Sequence, residues 1–175
     1  MIEGLSHITL ITSDLARISA IMSHVLDGQE IYSSGDETFS LSREKFFIVG
    51  GQWIAVMEGE SLPSRSYNHI AFKIPATAIG DYRARIERLG LEHRTQKWNP
   101  LLGSIRCSLL RKSASFWRKT GATVSHDALE LRESRPRVDG EGHSLYFYDH
   151  DNHLFELHTG TLDERLERYR RGIAA

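Results

Sequence analysis

The phrase LSHITLIT at residues 5–12 returns at residues 67–74 as YNHIAFKI, and the segment after each copy repeats as well. Successive side chains of a strand point to opposite faces. Ile8 and Leu10 in the first copy, and Ile70 and Phe72 in the second, therefore share one face, and His7 and His69 take the other. Each strand runs into a helix with the same apolar spacing, Leu15, Ile18, Met22 and Val25 in one and Ile79, Tyr82, Ile86 and Leu89 in the other, which draws a stripe down one side. Ser13 or Asp14 can cap the first helix, and Gly28 and Gly90 stand where each helix should stop. Strand-like segments come next: QEIYSS, FSLS and FFIVGGQWIAVM in the first half, SLYFYD and HLFELH in the second.

The pattern is βαβββ written twice, in an α+β fold. Module one covers residues 1–62 and module two residues 66–160, broken by an insertion at about 95–131, with a C-terminal helix at 161–171 opened by a Thr161 to Glu164 capping box. Repeated units of this kind imply two small sheets about a pseudo-twofold axis, helices outside and inner faces lining a common cavity.

The histidines then have a destination. His7 and His69 face the cavity from equivalent strands, and parity in HLFELH turns Glu156 the same way while Phe155 and Leu157 cover the helices. The first-half counterpart of Glu156 is Ala55, so two imidazoles and one carboxylate converge with coordination positions left for water and substrate. Such N and O donors suit Mn²⁺, Fe²⁺, Zn²⁺ or Ni²⁺. His158, one strand step from Glu156, is the rival ligand, and His150 and His153 in DHDNH are expected on the surface as turn residues.

With 22 basic and 23 acidic residues the formal net charge is -1. That balance gives no reason to expect nucleic acid or an anionic membrane as partner. The lone Cys107 cannot close an internal disulfide, and no apolar run approaches a membrane span. A cytoplasmic protein acting on a small molecule is the expectation.

GLSHITL, FSLSREKFF, YNHIAFKI, RPRVDGEG and SLYFYDHDNHLFELHTGTLDERL together resemble the vicinal oxygen chelate superfamily and, within it, the fosfomycin-resistance proteins of the epoxide-hydrating FosX type. The resemblance spans roughly residues 1–92 and 133–170. It implies a Mn²⁺-dependent enzyme that opens the oxirane of fosfomycin with water, and an intertwined homodimer whose metal sites each draw on both subunits. It places His7, His69 and Glu156 at the ligand positions and Glu44 at the general base. Thr9, Tyr146 and Arg165 fall at phosphonate-contacting positions, and Tyr67 beside the site. Without the resemblance, Glu44 between Arg43 and Lys45 reads as a solvated carboxylate, and Arg165 in ERLERYRR as a solvent-facing arginine. Two other activities fit the same residues: transfer of glutathione or bacillithiol to the epoxide, and sequestration of a drug without turnover.

The family has only a short connector where this chain carries residues 95–131. That stretch holds Trp98, Trp117 and six basic residues against two acidic ones. SIRCSLLRKSASFWRK reads as a basic helix. Closure entropy rises only logarithmically with loop length, so the core tolerates such an insertion. It runs into RPRVDGEG, where it is expected to decorate the fold or alter the activity.

Overall fold

A computed structural model describes residues 1–38, 41–91, 93–94 and 142–173. The element order is β1 (His7–Thr12), α1 (Leu15–His24), β2 (Gln29–Ser33), β3 (Glu44–Val49), β4 (Gln52–Glu58), β5 (His69–Lys73), a 3-10 turn (Ala76–Ala78), α2 (Ile79–Arg88), β6 (His93–Arg94), β7 (Ser144–Tyr148), β8 (Leu154–His158) and α3 (Leu162–Ile173). Among the described residues these strands form two four-stranded sheets, in the orders β1-β4-β3-β2 and β5-β8-β7-β6. The two sheets have one topology: the first strand of each module pairs in parallel with the last, and the rest of each sheet is antiparallel.

The register equates the modules residue by residue. His7 lies beside Trp53 and Thr9 beside Ala55, while His69 lies beside Leu154 and Ala71 beside Glu156. The expected correspondences of His7 with His69 and of Ala55 with Glu156 are thereby met. On the helix side Leu10, Ile54, Val56, Phe47 and Val49 of the first sheet and Leu145, Phe147, Phe155 and Leu157 of the second are buried, with Ile18, Met22 and Ile86 from the helices against them. Ile8, Ile70 and Phe72 pack on that core, so the parity read from the sequence holds in both copies.

Local details depart from expectation in two places. FSLS does not supply a strand: Leu41 and Ser42 lie in a bend and its first two residues lie outside the described ones. The hairpin explains this, because Gly50 and Gly51 turn with φ of 56° and 82°, and pairing counted back from Val49 with Gln52 reaches Glu44 opposite Met57 as the last rung. At the end of α1 the left-handed residue is Asp27, φ 53°, rather than Gly28. Gly28 is needed for space, since a Cβ there would sit 2.8 Å from the Met22 carbonyl oxygen and 2.9 Å from Val49 Cγ2. Asp14 caps α1, accepting from the amides of Ala16 and Arg17 at 2.9 and 3.1 Å.

Ser13 has other work. With Thr12 and Ser61 it surrounds Asp151, which is 2% exposed: Thr12 Oγ1 and Ser61 Oγ each donate at 2.5 Å, Ser13 Oγ at 2.7 Å and the Ser13 amide at 2.9 Å. The β7–β8 turn is thereby tied to the end of β1 and to the inter-module linker. Burial alone would push the Asp151 carboxyl up, but the donors of Ser61, Thr12 and Ser13 hold it at about 2. Its folded value lies below its unfolded one, so its stabilisation is present above pH 4 and lost as the pH falls toward 2. We expect Asp151→Asn to cost on the order of 2 kcal/mol at pH 7 and to flatten the acid limb of stability, as read by denaturant unfolding across that range.

The expectations for residues 95–131 and for RPRVDGEG, apart from its last residue Gly142, lie outside the described residues. Among the described residues no helix is long and apolar enough to cross a membrane.

Candidate active site

Each sheet has a helix-covered face and an open face. On the open face of the second sheet His69, Glu156, Tyr146, Ser144 and His158 come together from β5, β8 and β7. Tyr146 pairs across the ladder with Glu156, and Ser144 with His158. Glu156 is a buried carboxylate, 4% exposed. Its Oε2 lies 3.0 Å from His69 Nε2, and its Oε1 takes the Ser144 hydroxyl and lies 3.5 Å from His158 Nδ1. Burial alone would raise the Glu156 carboxyl, yet the hydroxyls of Ser144 and Tyr146 and the charges of His69 and His158 hold it below its ordinary value. It is therefore kept as an anion.

The backbone fixes which nitrogen His69 offers. Its Nδ1 is 2.8 Å from the Tyr67 carbonyl oxygen, an acceptor only, so Nδ1 carries a proton and Nε2 is the nitrogen turned to Glu156. The 3.0 Å gap between Nε2 and Oε2 equals the edge joining two cis positions of an octahedral ion with bonds of about 2.1 Å, and a carbonyl-anchored imidazole is how metal-bound histidines are commonly held. The pair fits a divalent cation. Tyr67 and Tyr146 flank it, with ring centroids 5.0 and 5.8 Å from that of His69. Burial, the Tyr67 hydroxyl and the Glu156 charge all raise the Tyr146 phenol, which stays protonated as a donor.

The first sheet carries the other candidates. His7, Thr9 and Ile11 on β1 are exposed, side by side with Trp53, Ala55 and Met57 on β4 and, beyond them, Ile48, Phe46 and Glu44 on β3. The His7 ring lies 4.5 Å from Trp53, and Phe46 packs edge-on to Trp53 at 5.2 Å. Glu44 thus shares the open face with His7 and Thr9. Its neighbours point the other way and are paired elsewhere: Arg43 Nε and Nη2 bind Glu58 at 2.8 and 2.5 Å, and Lys45 Nζ binds Glu30 at 2.9 Å. The half-buried Glu44 carboxylate makes no ion pair among the described residues, and its backbone is clamped by Ser34 in both directions.

The structure therefore gathers His69, Glu156, Tyr67 and Tyr146 on one sheet and His7, Thr9 and Glu44 on the other. Among the described residues of a single chain, no three His, Cys, Asp or Glu side chains converge as a metal site. Arg165 is half-buried on α3, the residue next after the Thr161–Glu164 capping box. His153 corrects the surface expectation. Its Nδ1 is 2.7 Å from Asp149 Oδ2, with the imidazole 11% exposed, because the tight turn of β7 into β8 folds it back onto the buried aspartate. Strand parity gives Ser144 a face and nothing more. The signal lay in the hairpin register, which sets it against His158 and beside Glu156.

Two βαβββ modules offering imidazole and carboxylate from open strand faces define a vicinal oxygen chelate protein. No family model matches the chain. The fosfomycin resistance protein FosX of Listeria innocua is 47% identical over 169 residues, 97% of this chain and 98% of that protein. A solved structure of FosX from Listeria monocytogenes superposes with a TM-score of 0.68 at 43% identity, covering 97% of this chain and 99% of that one. It is a glutamate-to-glutamine variant complexed with Mn(II) and 1S,2S-dihydroxypropylphosphonic acid. The metallothiol transferase FosB of Staphylococcus saprophyticus stands further off, at 28% identity over 97% of this chain and 85% of its own length. The chain belongs to the FosX family of fosfomycin resistance proteins.

Proposed function

We propose that this chain is a Mn²⁺-dependent hydrolase that adds water to the oxirane of fosfomycin, giving an inactive vicinal diol and hence antibiotic resistance. The observation that carries the reading is near-full-length identity of 47% to a FosX protein. The dihydroxypropylphosphonate held by the Listeria monocytogenes relative is the epoxypropylphosphonate plus one water, the product such a reaction leaves.

His7, His69 and Glu156 are assigned as the metal ligands and Glu44 as the general base. A bound divalent ion would polarise the oxirane and phosphonate oxygens and offset the negative charge that grows on the leaving oxygen. Glu44 takes a proton from water as its oxygen bonds to an oxirane carbon, the carbon–oxygen bond there breaks, and the freed oxygen takes up a proton from solvent to become the second hydroxyl while Glu44 returns its own to solvent. Water needs that base. Thr9, Tyr146 and Arg165 supply donors and charge for the phosphonate, and Tyr67 lines the site and holds the Tyr146 hydroxyl.

The ligands are assigned to two chains of a cytoplasmic homodimer, His7 from one subunit and His69 with Glu156 from the other. Support comes from the incomplete set among the described residues of one chain and from the open edges of β1 and β5, each paired on one side only among the described residues. Exposed edges of this kind invite another chain.

Incubation of the purified protein with fosfomycin and Mn²⁺, followed by ³¹P NMR, tests the reading. Diol is expected with water alone, and adding glutathione or bacillithiol should not divert the product. A thioether formed only with thiol would make the chain a transferase, and unchanged fosfomycin under both conditions would leave a binding protein.

A further inference from the structure

Glu156 is held by a pair of residues that neither the metal set nor the substrate contacts account for. Ser144 Oγ reaches Glu156 Oε1 on one side and lies 2.8 Å from His158 Nδ1 on the other. A hydroxyl has one proton to give, and an ionised carboxylate only accepts. Ser144 therefore donates to Glu156 and accepts from His158 Nδ1–H, making a directed chain from imidazole to hydroxyl to carboxylate. Each bond in such a chain polarises the next. His158 is thus turned to Ser144 through Nδ1, while His69 faces the opposite carboxylate oxygen.

The first module serves as an internal control. Its hairpin has the same register, with Glu44 opposite Met57 and Phe46 opposite Ala55, where the second has Ser144 opposite His158 and Tyr146 opposite Glu156. Met57, Ala55 and Phe46 fill the places of His158, Glu156 and Tyr146 in the same architecture. The fold does not demand the hydroxyl and imidazole. They occur in the module that carries the acidic ligand.

We infer that Ser144, backed by His158, is a positioning residue that occupies Oε1 of Glu156 and so presents Oε2 alone, beside His69 Nε2, as a one-oxygen metal ligand. The inference rests on the assignment of Glu156 as a ligand. One oxygen from Glu156 leaves more of the ion's coordination sphere to substrate than a chelating carboxylate would. Partners that orient metal ligands in this way typically tune affinity by 10–100-fold.

The test is titration of the purified full-length protein with Mn²⁺, reading free ion by electron paramagnetic resonance, together with melting temperature in the absence of metal. Ser144→Ala should weaken Mn²⁺ binding by about 10–100-fold, and Ser144→Thr, which keeps the hydroxyl, should stay within about threefold of wild type, with melting little changed in either. Wild-type affinity in Ser144→Ala would overturn the inference. So would equal weakening in both variants with a fall in melting temperature, the mark of a packing role. Glu156→Gln separates this from failure of the ligand assignment. If that variant binds as wild type does, Glu156 is no ligand and both readings fall; if it loses the ion while Ser144→Ala keeps it, only the positioning role is lost.

Discussion

Glu44→Gln is expected to lower diol formation by about 10²–10⁴-fold, the usual contribution of a positioned base, with Mn²⁺ affinity close to that of wild type. The substitution keeps shape and hydrogen-bonding reach and removes only the ability to accept a proton. Placement argues that little else will change. Glu44 sits at the first rung of β3 with its backbone held by Ser34, and its carboxylate supports no ion pair among the described residues. It lies on the other sheet from His69 and Glu156, so its loss leaves those donors undisturbed. A thiolate arrives already ionised and needs no base; any slow thioether formation measured with added thiol should therefore survive the substitution. Diol formation within tenfold of wild type would move the base elsewhere.

The halves of this site were unequally legible in the sequence. Parity within a strand needs no tertiary information, so the faces of His7, Thr9, His69 and Glu156 could be read from spacing alone, and the match of Ala55 to Glu156 came from aligning the repeats. Register between strands is set by turns. Gly50 and Gly51 fix where β3 starts, and the Asp149 to Asn152 turn fixes which residues face β8. Without that, FSLS reads as a strand and His153 as a surface residue, and nothing pairs Ser144 with His158. The role of Glu44 was hidden for another reason. Between Arg43 and Lys45 it looks like one charge in a solvated triplet, and only the pairing of Arg43 with Glu58 and of Lys45 with Glu30 on the opposite face separates it from them. Parity alone also misled in one respect: it aims His7 and His69 at a common cavity without saying whose. Asp151, gripped by Thr12, Ser13 and Ser61, ties the modules of one chain together through the β7–β8 turn, and in that arrangement His7 does not meet the two ligands assigned with it.

A mixing experiment exploits that separation. His7→Ala and His69→Ala are each expected to lose Mn²⁺ binding and turnover when assayed alone, with melting retained, because every site in either homodimer lacks one imidazole. Refolded together, they should recover activity. In a mixed dimer the intact His7 comes from the His69→Ala chain, and the intact His69 with Glu156 from the His7→Ala chain, which completes one of the two sites; the other site lacks both imidazoles. Random association makes half of the dimers mixed, each with half its sites intact, so about a quarter of wild-type turnover should return under the two-fold symmetry of such an assembly. Mn²⁺ bound per chain should return in the same proportion. Sites built within single chains cannot be repaired by exchange. A mixture as inert as its components would refute the shared site and leave the two open faces of the chain needing another explanation.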